Sequence, residues 1–427
     1  MGSSVSSGST LPPQWAGRSF GKRSQPISGQ STGRVWGVER WLVRRLLSVI
    51  GNPPIALVLW DGEAIGHAAP KARVKIRDRR TFWQLLSNVY LHFGDAFSDG
   101  RIEVEGDLLE FLEIIYGAED AQPRNRLAAA LADWRSKPRA NTLGGSRSHI
   151  YHHYDIGDDF YRLWLDREMV YTCAFFPSPA VSLEEAQAAK LELVCRKLWL
   201  KPGETVVEAG CGWGALALYM ARHYGVTVKA YNVSHEQIRT ARQRAKAEGL
   251  EARVEFIEDD YRAIRGRFDV FASVGMLEHV GADHYRQLGE VIHGCLRPGG
   301  RGILHTIGRD YPGCLNAWIE RRIFPGAYAP SLREIMQVLE PRSFSVLDVE
   351  NLRLHYALTL QHWHERFEAV APRVEAMFDA AFVRAWRLYL VGSLAAFRTG
   401  SLQLFQVLFA RHGCNEIPWT RQRLLAE

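Results

Sequence analysis

Two short stretches of this chain carry residues able to do chemistry. In SVGMLEHVG, Ser273 to Gly281, a carboxylate and an imidazole (Glu278 and His279) follow closely on the apolar run Phe268 to Ala272. A short apolar run bounded by turn residues reads as a buried strand. In an open α/β sheet, ligands bind in the crevice beyond the carboxyl ends of the strands. Glu278 is thus delivered to a rim where it can orient a bound ion or attack a substrate. His279 reads as a structural hydrogen-bonding partner. In VVEAGCGWG, Val206 to Gly214, Glu208 precedes glycines at alternate positions, Gly210, Gly212 and Gly214. Glycine permits a tight turn and a close approach of ligand to backbone. The spacing is GxGxG, not the GxGxxG of dinucleotide sites; a tight connection without ligand is the alternative reading.

These residues need a scaffold, and the pattern around them supplies one. From Tyr151 onward strands alternate with helices: ETVVEAG, LALYMARHYG, VTVKAYN, EQIRTARQRAKAEG, ARVEFIEDD, FDVFASV, YRQLGEVIHGCL and GRGILHTIG. This alternation predicts an α/β domain with a parallel doubly wound sheet over residues 149–427. Before it, ALVLWDGEAIGHA and ARVKIRD read as strands of a hairpin around Asp61-Gly62. TFWQLLSNVYLHF reads as a helix, and GRIEVEGDLLEFLEIIYG as a strand running into a helix. Together they make a small α+β domain at residues 34–120, joined by a polar linker at 121–148. Residues 1–33, rich in Ser and Gly, read as a disordered tail without the apolar segment of a signal peptide.

The helix expected at Arg34 to Ile50 sets Val38, Trp41, Leu42, Leu46 and Val49 to one side, a face suited either to its own domain or to a membrane surface. A chain of 427 residues suggests two or three domains, and 47% hydrophobic residues give a sizeable core. A net charge of +6 suits an anionic partner, nucleic acid or membrane. Six dispersed cysteines without a CxxC pair read as reduced thiols, not as a disulfide framework or metal site. Arg44, Arg45 and Arg398 interrupt the longest apolar stretches, which argues against a span of about 20 apolar residues.

The glycine loop with Glu208 resembles motif I of class I S-adenosylmethionine-dependent methyltransferases, which implies a Rossmann-like fold. The resemblance assigns Glu208, Gly210, Cys211, Gly212 and Gly214 to the cofactor. YNVSHEQ ends the second strand without the usual acid, so Asn232 and Gln237 become the ribose partners, since amides donate and accept. EDDYR at the end of the third strand places Asp260 (or Asp259), Tyr261 and Arg262 at the adenine.

Further stretches carry a narrower resemblance. YTCAFF, MLEHVG, LHTIG and LHYALTL, with VEGDL and IFPGAYAPSLREI, closely resemble cyclopropane fatty-acid synthases, kin of the mycolic-acid cyclopropane synthases, over about residues 55 to 410. That resemblance implies methyl transfer from S-adenosylmethionine to a cis double bond and ring closure with bound bicarbonate as base. It carries the bicarbonate-binding and catalytic roles onto Cys173, Glu278, His305 and Tyr356, with Val274 contributing backbone contact. Tyr171 and Thr172 join the cofactor set.

No motif pairs Cys173 with a base as acyl transfer requires. Aromatic faces suit a carbocation, and Tyr171, Phe175, Phe176, Trp318, Phe324, Tyr356 and Trp363 are available. Arg309 to Pro341 reads as a lid whose Trp318, Ile319, Ile323 and Phe324 face lipid. The run RAWRLYLVGSLAAFRTGSLQLFQVLF matches the family's C-terminal helices, with Gly400, Gln403 and Gln406 in place. The implied partners are unsaturated phospholipids and an anionic membrane surface, for a cytoplasmic protein held peripherally at the inner face; a homodimer is compatible.

Three competing readings are weaker or adjacent. A base-methylating enzyme would carry Asn/Asp-Pro-Pro-aromatic where this chain has GMLEHV, so no nucleic-acid partner is expected. A non-catalytic lipid carrier fits the sterol-carrier-like look of the first domain but not the glycine loop. A sibling enzyme that methylates the olefin without closing a ring has the same motifs.

Overall fold

A computed structural model describes residues 33–120 and 156–422. The expected tail, the linker and the segment up to Asp155 lie outside the described residues.

The first domain is a four-stranded sheet, β1 (Ile55–Val58), β2 (Ala64–Gly66), β3 (Ala72–Ile76) and β4 (Ile102–Glu105), in the order β2-β1-β3-β4. Along β3 the buried Ala72, Val74 and Ile76 alternate with the less buried Arg73 and Lys75, giving one core face. The Asp61-Gly62 turn closes a hairpin of β1 and β2 only; ARVKIRD instead lies parallel to β1 on its other side. The single helix expected at TFWQLLSNVYLHF is two, α2 (Arg79–Ser87) and α3 (Val89–Ser98). Asn88 adopts an extended backbone between them and caps α3 by accepting from the Leu91 N–H at 3.2 Å. Helix α4 spans Leu108–Asp120.

Helix α1 (Gly37–Val49) packs on this domain, but not through the expected stripe. Val43 and Leu47 face inward and Leu42 of the expected stripe is half-buried against the core, whereas Val38, Trp41, Leu46 and Val49 are exposed, Trp41 by 60%. Glu39 explains the rotation. It is fully buried, accepts from the Trp36 N–H at 2.7 Å and pairs with Arg79 at 2.8 Å, so the helix must turn that edge inward.

The second domain is a seven-stranded sheet in the order β10-β11-β9-β8-β5-β6-β7. Strands β5 (Thr205–Ala209), β6 (Thr227–Asn232), β7 (Val254–Glu258), β8 (Phe268–Val274) and β9 (Leu296–Gly308) are parallel. The sheet is nonetheless mixed, because β11 (Gln403–Ala410) runs antiparallel between β9 and β10 (Ser345–Asn351). Gln403 and Gln406 therefore sit on a strand and not on a helix. Gly400, at φ 91°, ends the preceding helix in the left-handed conformation, and all eight residues of β11 are buried.

The surrounding helices are α5 (Leu183–Lys197), α6 (Ala215–Tyr224), α7 (His235–Ala247), α8 (Tyr285–Cys295), α9 (Leu332–Leu339), α10 (Arg353–Met377) and α11 (Ala380–Thr399). Helix α11 is long and apolar enough to cross a membrane, but it packs between α10 and the first domain's α3 and α4 and is 67% buried. Arg322 clamps Asp95 with two 2.9 Å contacts, and Trp318 lies over Gly94 so closely that an added Cβ would come within 2.4 Å of its ring. One hydrophobic cluster runs through both domains, and two more fill the second domain on its own.

Candidate active site

Two cavities open at the carboxyl ends of the central strands and meet at Tyr171, Thr172, Gly275 and His279. The first, of about 120 Å³, follows β5, β6 and β8. Of the residues expected at the cofactor, Tyr171, Thr172, Glu208, Gly210, Cys211, Gly212, Asn232 and Gln237 line it. The glycines divide the work. A Cβ on Gly212 would meet open space, one on Gly210 would strike Met276 at 2.8 Å, and one on Gly214 would strike Phe256 at 2.5 Å. Gly212 thus faces the cavity, whereas Gly214 serves strand-to-helix packing and does not line it. The Asn232 amide donates to Gln237 Oε1 at 2.7 Å.

Asp260, Tyr261 and Arg262 do not line this cavity. Asp260 caps its own turn by accepting from the Arg262 N–H at 2.9 Å, its carboxylate pairs with Arg262 at 3.1 Å, and that guanidinium lies 4.8 Å from the Tyr261 ring.

A lysine that the motifs did not reveal completes the floor. Lys190 is 2% exposed and donates to Thr172 Oγ1 at 2.9 Å. Burial pushes Lys190 down and Glu208 up, each to about 8, with the ammonium and carboxylate partly offsetting one another. Its signal in the sequence is positional: it sits on the buried stripe of α5, four and seven residues after Ala186 and Leu183.

The second cavity, of about 90 Å³, collects Cys173, Glu278, His305 and Tyr356 from four segments that meet only through the sheet. Glu278 Oε1 accepts from the Ile307 N–H at 2.6 Å, while Oε2 is buried without a hydrogen-bond partner. Burial raises this carboxyl to about 7. His305 receives or gives a hydrogen bond at Nδ1 with Gln406 at 2.8 Å, its Nε2 is likewise unpartnered, and burial beside Lys190 and Lys197 holds it well below the usual imidazole range. Complete burial pushes the Cys173 thiol far up; it is protonated and bonded to its neighbour's carbonyl, not poised as a nucleophile. Val274 lines the first cavity only, and Gly275 takes its place at the second.

Tyr171, Phe324, Tyr356, Tyr389 and Phe397 give this cavity its aromatic wall, with Tyr356 and Phe397 4.5 Å apart. Phe175 and Phe176 instead stack on His355 and His362, and Trp363 is core. His279 borders both cavities and leans against Phe324. From the lid, Ile319 and Phe324 reach the cavity, but Ile323 packs into the core.

A third cavity of about 250 Å³ lies between the domains, lined by Val89, Phe93, Phe111 and Ile115 on one side and Trp318, Leu388 and Gly392 on the other. It shares Leu315, Ile319, Ser393 and Leu402 with the second.

A family model described as mycolic acid cyclopropane synthetase matches residues 143–407. The chain belongs to this family. A second model, described as a domain of unknown function (DUF7884), matches residues 42–126. Cyclopropane-fatty-acyl-phospholipid synthase of Escherichia coli is 38% identical over 358 residues, 82% of this chain and 90% of that protein. A probable fatty acid methyltransferase of Pseudomonas putida is 36% identical over 388 residues, 86% of this chain and 95% of that protein. The structure of the mycolic acid cyclopropane synthase CmaA1 complexed with SAH and CTAB superposes at TM-score 0.59 with 29% identity, covering 62% of this chain and 98% of that one. The family model's match begins only after the first domain, at residue 143.

Like its family, the chain is an S-adenosylmethionine-dependent methyltransferase. The first cavity fits that cofactor: the buried, unpartnered Glu208 Oε2 suits an ammonium, the open side of Gly212 leaves room for it, and two neutral amides suit ribose hydroxyls.

Proposed function

We propose that this enzyme methylates a cis double bond within a phospholipid acyl chain and closes a cyclopropane ring, with bicarbonate as the base. One observation carries the reading: Glu278 Oε2 and His305 Nε2, both buried and unpartnered, stand in an otherwise largely apolar cavity adjoining the cofactor's. Buried polar atoms are rarely left unsatisfied without a ligand to meet them. S-adenosylmethionine, when bound, supplies the methyl group, and bicarbonate, when bound, takes up the proton lost from that carbon as the ring closes. Glu278 and His305 hold the anion. A carboxyl raised to about 7 is substantially protonated at neutral pH, so Glu278 meets the anion as a donor and avoids charge repulsion. Tyr171, Tyr356 and Phe397 present ring faces to positive charge on the chain, and the burial of the cavity keeps out water that would quench it.

The interdomain cavity, largely apolar and sharing Leu315, Ile319, Ser393 and Leu402 with the reacting one, receives the rest of the acyl chain. Its rim at Val89 and Tyr90 is exposed, as are nearby Trp83 and Leu86 of α2. With the bare face of α1 and its exposed Arg44 and Arg45, these suit docking on an anionic membrane from the cytoplasmic side. Binding to anionic vesicles is expected to weaken as salt rises.

The test is turnover of unsaturated phospholipid followed by mass spectrometry. Glu278→Leu, which removes that donor, is expected to lower turnover about 10²–10³-fold with cofactor affinity retained, and carbon dioxide depletion to slow the native enzyme until bicarbonate is restored. Native turnover by Glu278→Leu would refute the role. The P. putida relative's name favours a second reading, a methyl or methylene branch without a ring; the product's structure separates the two.

A further inference from the structure

The reacting cavity's histidine is wired to the far edge of the sheet. Glu350 on β10, Gln406 on β11 and His305 on β9 are direct register partners across three adjacent strands. Lys197, in the last turn of α5 and 2% exposed, reaches the middle of this row. Its Nζ donates to Glu350 Oε2 at 2.5 Å and to Gln406 Oε1 at 2.6 Å, and Gln406 Nε2 lies 2.8 Å from His305 Nδ1.

The chemistry of the donors removes every freedom in this row. An ammonium has three donors and no lone pair, so the Gln406 atom facing Lys197 must be the carbonyl oxygen. The amide NH₂ then faces His305 and can only donate. Nδ1 must therefore be the bare, accepting nitrogen, and a neutral imidazole with a bare Nδ1 carries its proton on Nε2. Nε2 is the atom that points, unpartnered, into the cavity with Glu278 and Cys173.

We infer that Lys197 and Gln406 are positioning residues that lock His305 as an obligate hydrogen-bond donor toward the reacting cavity. The lock has a chemical consequence. With its only free lone pair occupied by Gln406, His305 cannot serve as the base that removes a proton from the new methyl carbon. It can only hold an acceptor, such as an oxygen of a small anion. Burial and the neighbouring Lys190 and Lys197 charges oppose a second proton on the ring, which keeps it in the neutral form the lock requires. The inference rests on the proposed reading for what His305 holds, but not for how His305 is held.

The tautomer is measurable without substrate, cofactor or bicarbonate. In ¹⁵N-histidine-labelled protein at neutral pH, long-range ¹H–¹⁵N spectra are expected to show His305 with a protonated Nε2 and a pyridine-like Nδ1, the signals being assigned by their loss in His305→Gln. Gln406→Glu replaces the donor with an acceptor and is expected to move the proton to Nδ1, with turnover falling about 10²-fold, the size of losing one preorganised donor. Lys197→Met frees the amide to flip and is expected to give a mixture of tautomers. Gln406→Glu should keep the affinity for S-adenosylhomocysteine, a split that general misfolding would not produce. A native His305 protonated on Nδ1, or native spectra in both folded variants, overturns the inference. A confirmed Nε2–H tautomer combined with turnover indifferent to bicarbonate leaves the lock standing and removes only the bicarbonate reading.

Discussion

The two cavities that meet at Tyr171, Thr172, Gly275 and His279 are built on opposite plans. The cofactor cavity is made mainly from the ends of neighbouring strands and from one loop, Gly210 to Gly214; its neutral amides already satisfy one another, and Glu208 Oε2 is left unpartnered. The reacting cavity draws Glu278 from the turn after β8, His305 from β9, Tyr356 from α10 and Cys173 from the segment before α5, and it leaves Glu278 Oε2 and His305 Nε2 unsatisfied. A pocket for a ligand with many polar groups can be laid out in consecutive backbone. A pocket for an apolar chain and a transient cation needs few polar atoms, each held from behind by groups distant in sequence.

Four experiments would break or sharpen this contrast. The largest effect is expected at Gly212→Val, which fills the open side of the loop and strains a φ of 52°. It should abolish S-adenosylhomocysteine binding by calorimetry while circular dichroism shows a folded protein; undiminished binding would move the cofactor elsewhere.

Glu278 comes next. Its carboxyl is raised from 4.5 to about 7 by burial, so the folded state holds a proton the unfolded chain has lost. Its contribution to stability is complete below about pH 4.5 and declines as pH rises through 7. Glu278→Gln lacks this decline and should gain on the native protein over that interval by roughly 3 kcal/mol, a difference read from denaturation midpoints at pH 4.5, 6 and 8. A constant gap would show that the carboxyl is not desolvated.

On the cofactor side, Glu208 must release a proton to receive an ammonium. Affinity for S-adenosylhomocysteine should therefore rise with pH toward about 8, by at most about tenfold per unit, and Glu208→Gln should flatten the profile.

The smallest effect is expected at Gly392, on the wall of the interdomain cavity. Gly392→Leu should slow turnover of long acyl chains relative to short ones, by about fourfold for each methylene excluded. Equal slowing of all chain lengths would place the acyl chain outside that cavity.

The same contrast decides what could be read before folding. The glycine loop, Glu208 and the amides of YNVSHEQ were legible because their neighbours in sequence are their neighbours in space. Cys173, Glu278, His305 and Tyr356 were legible only through family resemblance, since nothing local marks four residues on four segments as one cavity. Lys190 and Lys197 were missed because a buried lysine looks like a surface lysine until the stripe it occupies is known. Gln406 was noticed but assigned to a helix, because LQLFQVLF has no local feature that distinguishes a central strand from a buried helix. Asp260 to Arg262, expected at the adenine, lie outside the first cavity's lining, with Asp260 and Arg262 engaged to one another. The stripe on α1 was identified correctly as apolar, yet the Glu39–Arg79 pair, joining residues forty positions apart, turned it outward.

If the proposed phospholipid tail occupies the interdomain cavity, the clamp between Arg322 and Asp95 has a kinetic meaning. A channel bored through one domain is a tube, and a tube accepts a chain only end first. The interdomain cavity is instead bounded by a seam, because one wall belongs to each domain. A phospholipid tail is tethered at one end to a headgroup and lies beside a second tail, so threading is awkward whereas sideways loading through a parted seam is not. Weakening the clamp would then alter how often lipid is captured and released, leaving the affinity of the closed state nearly untouched.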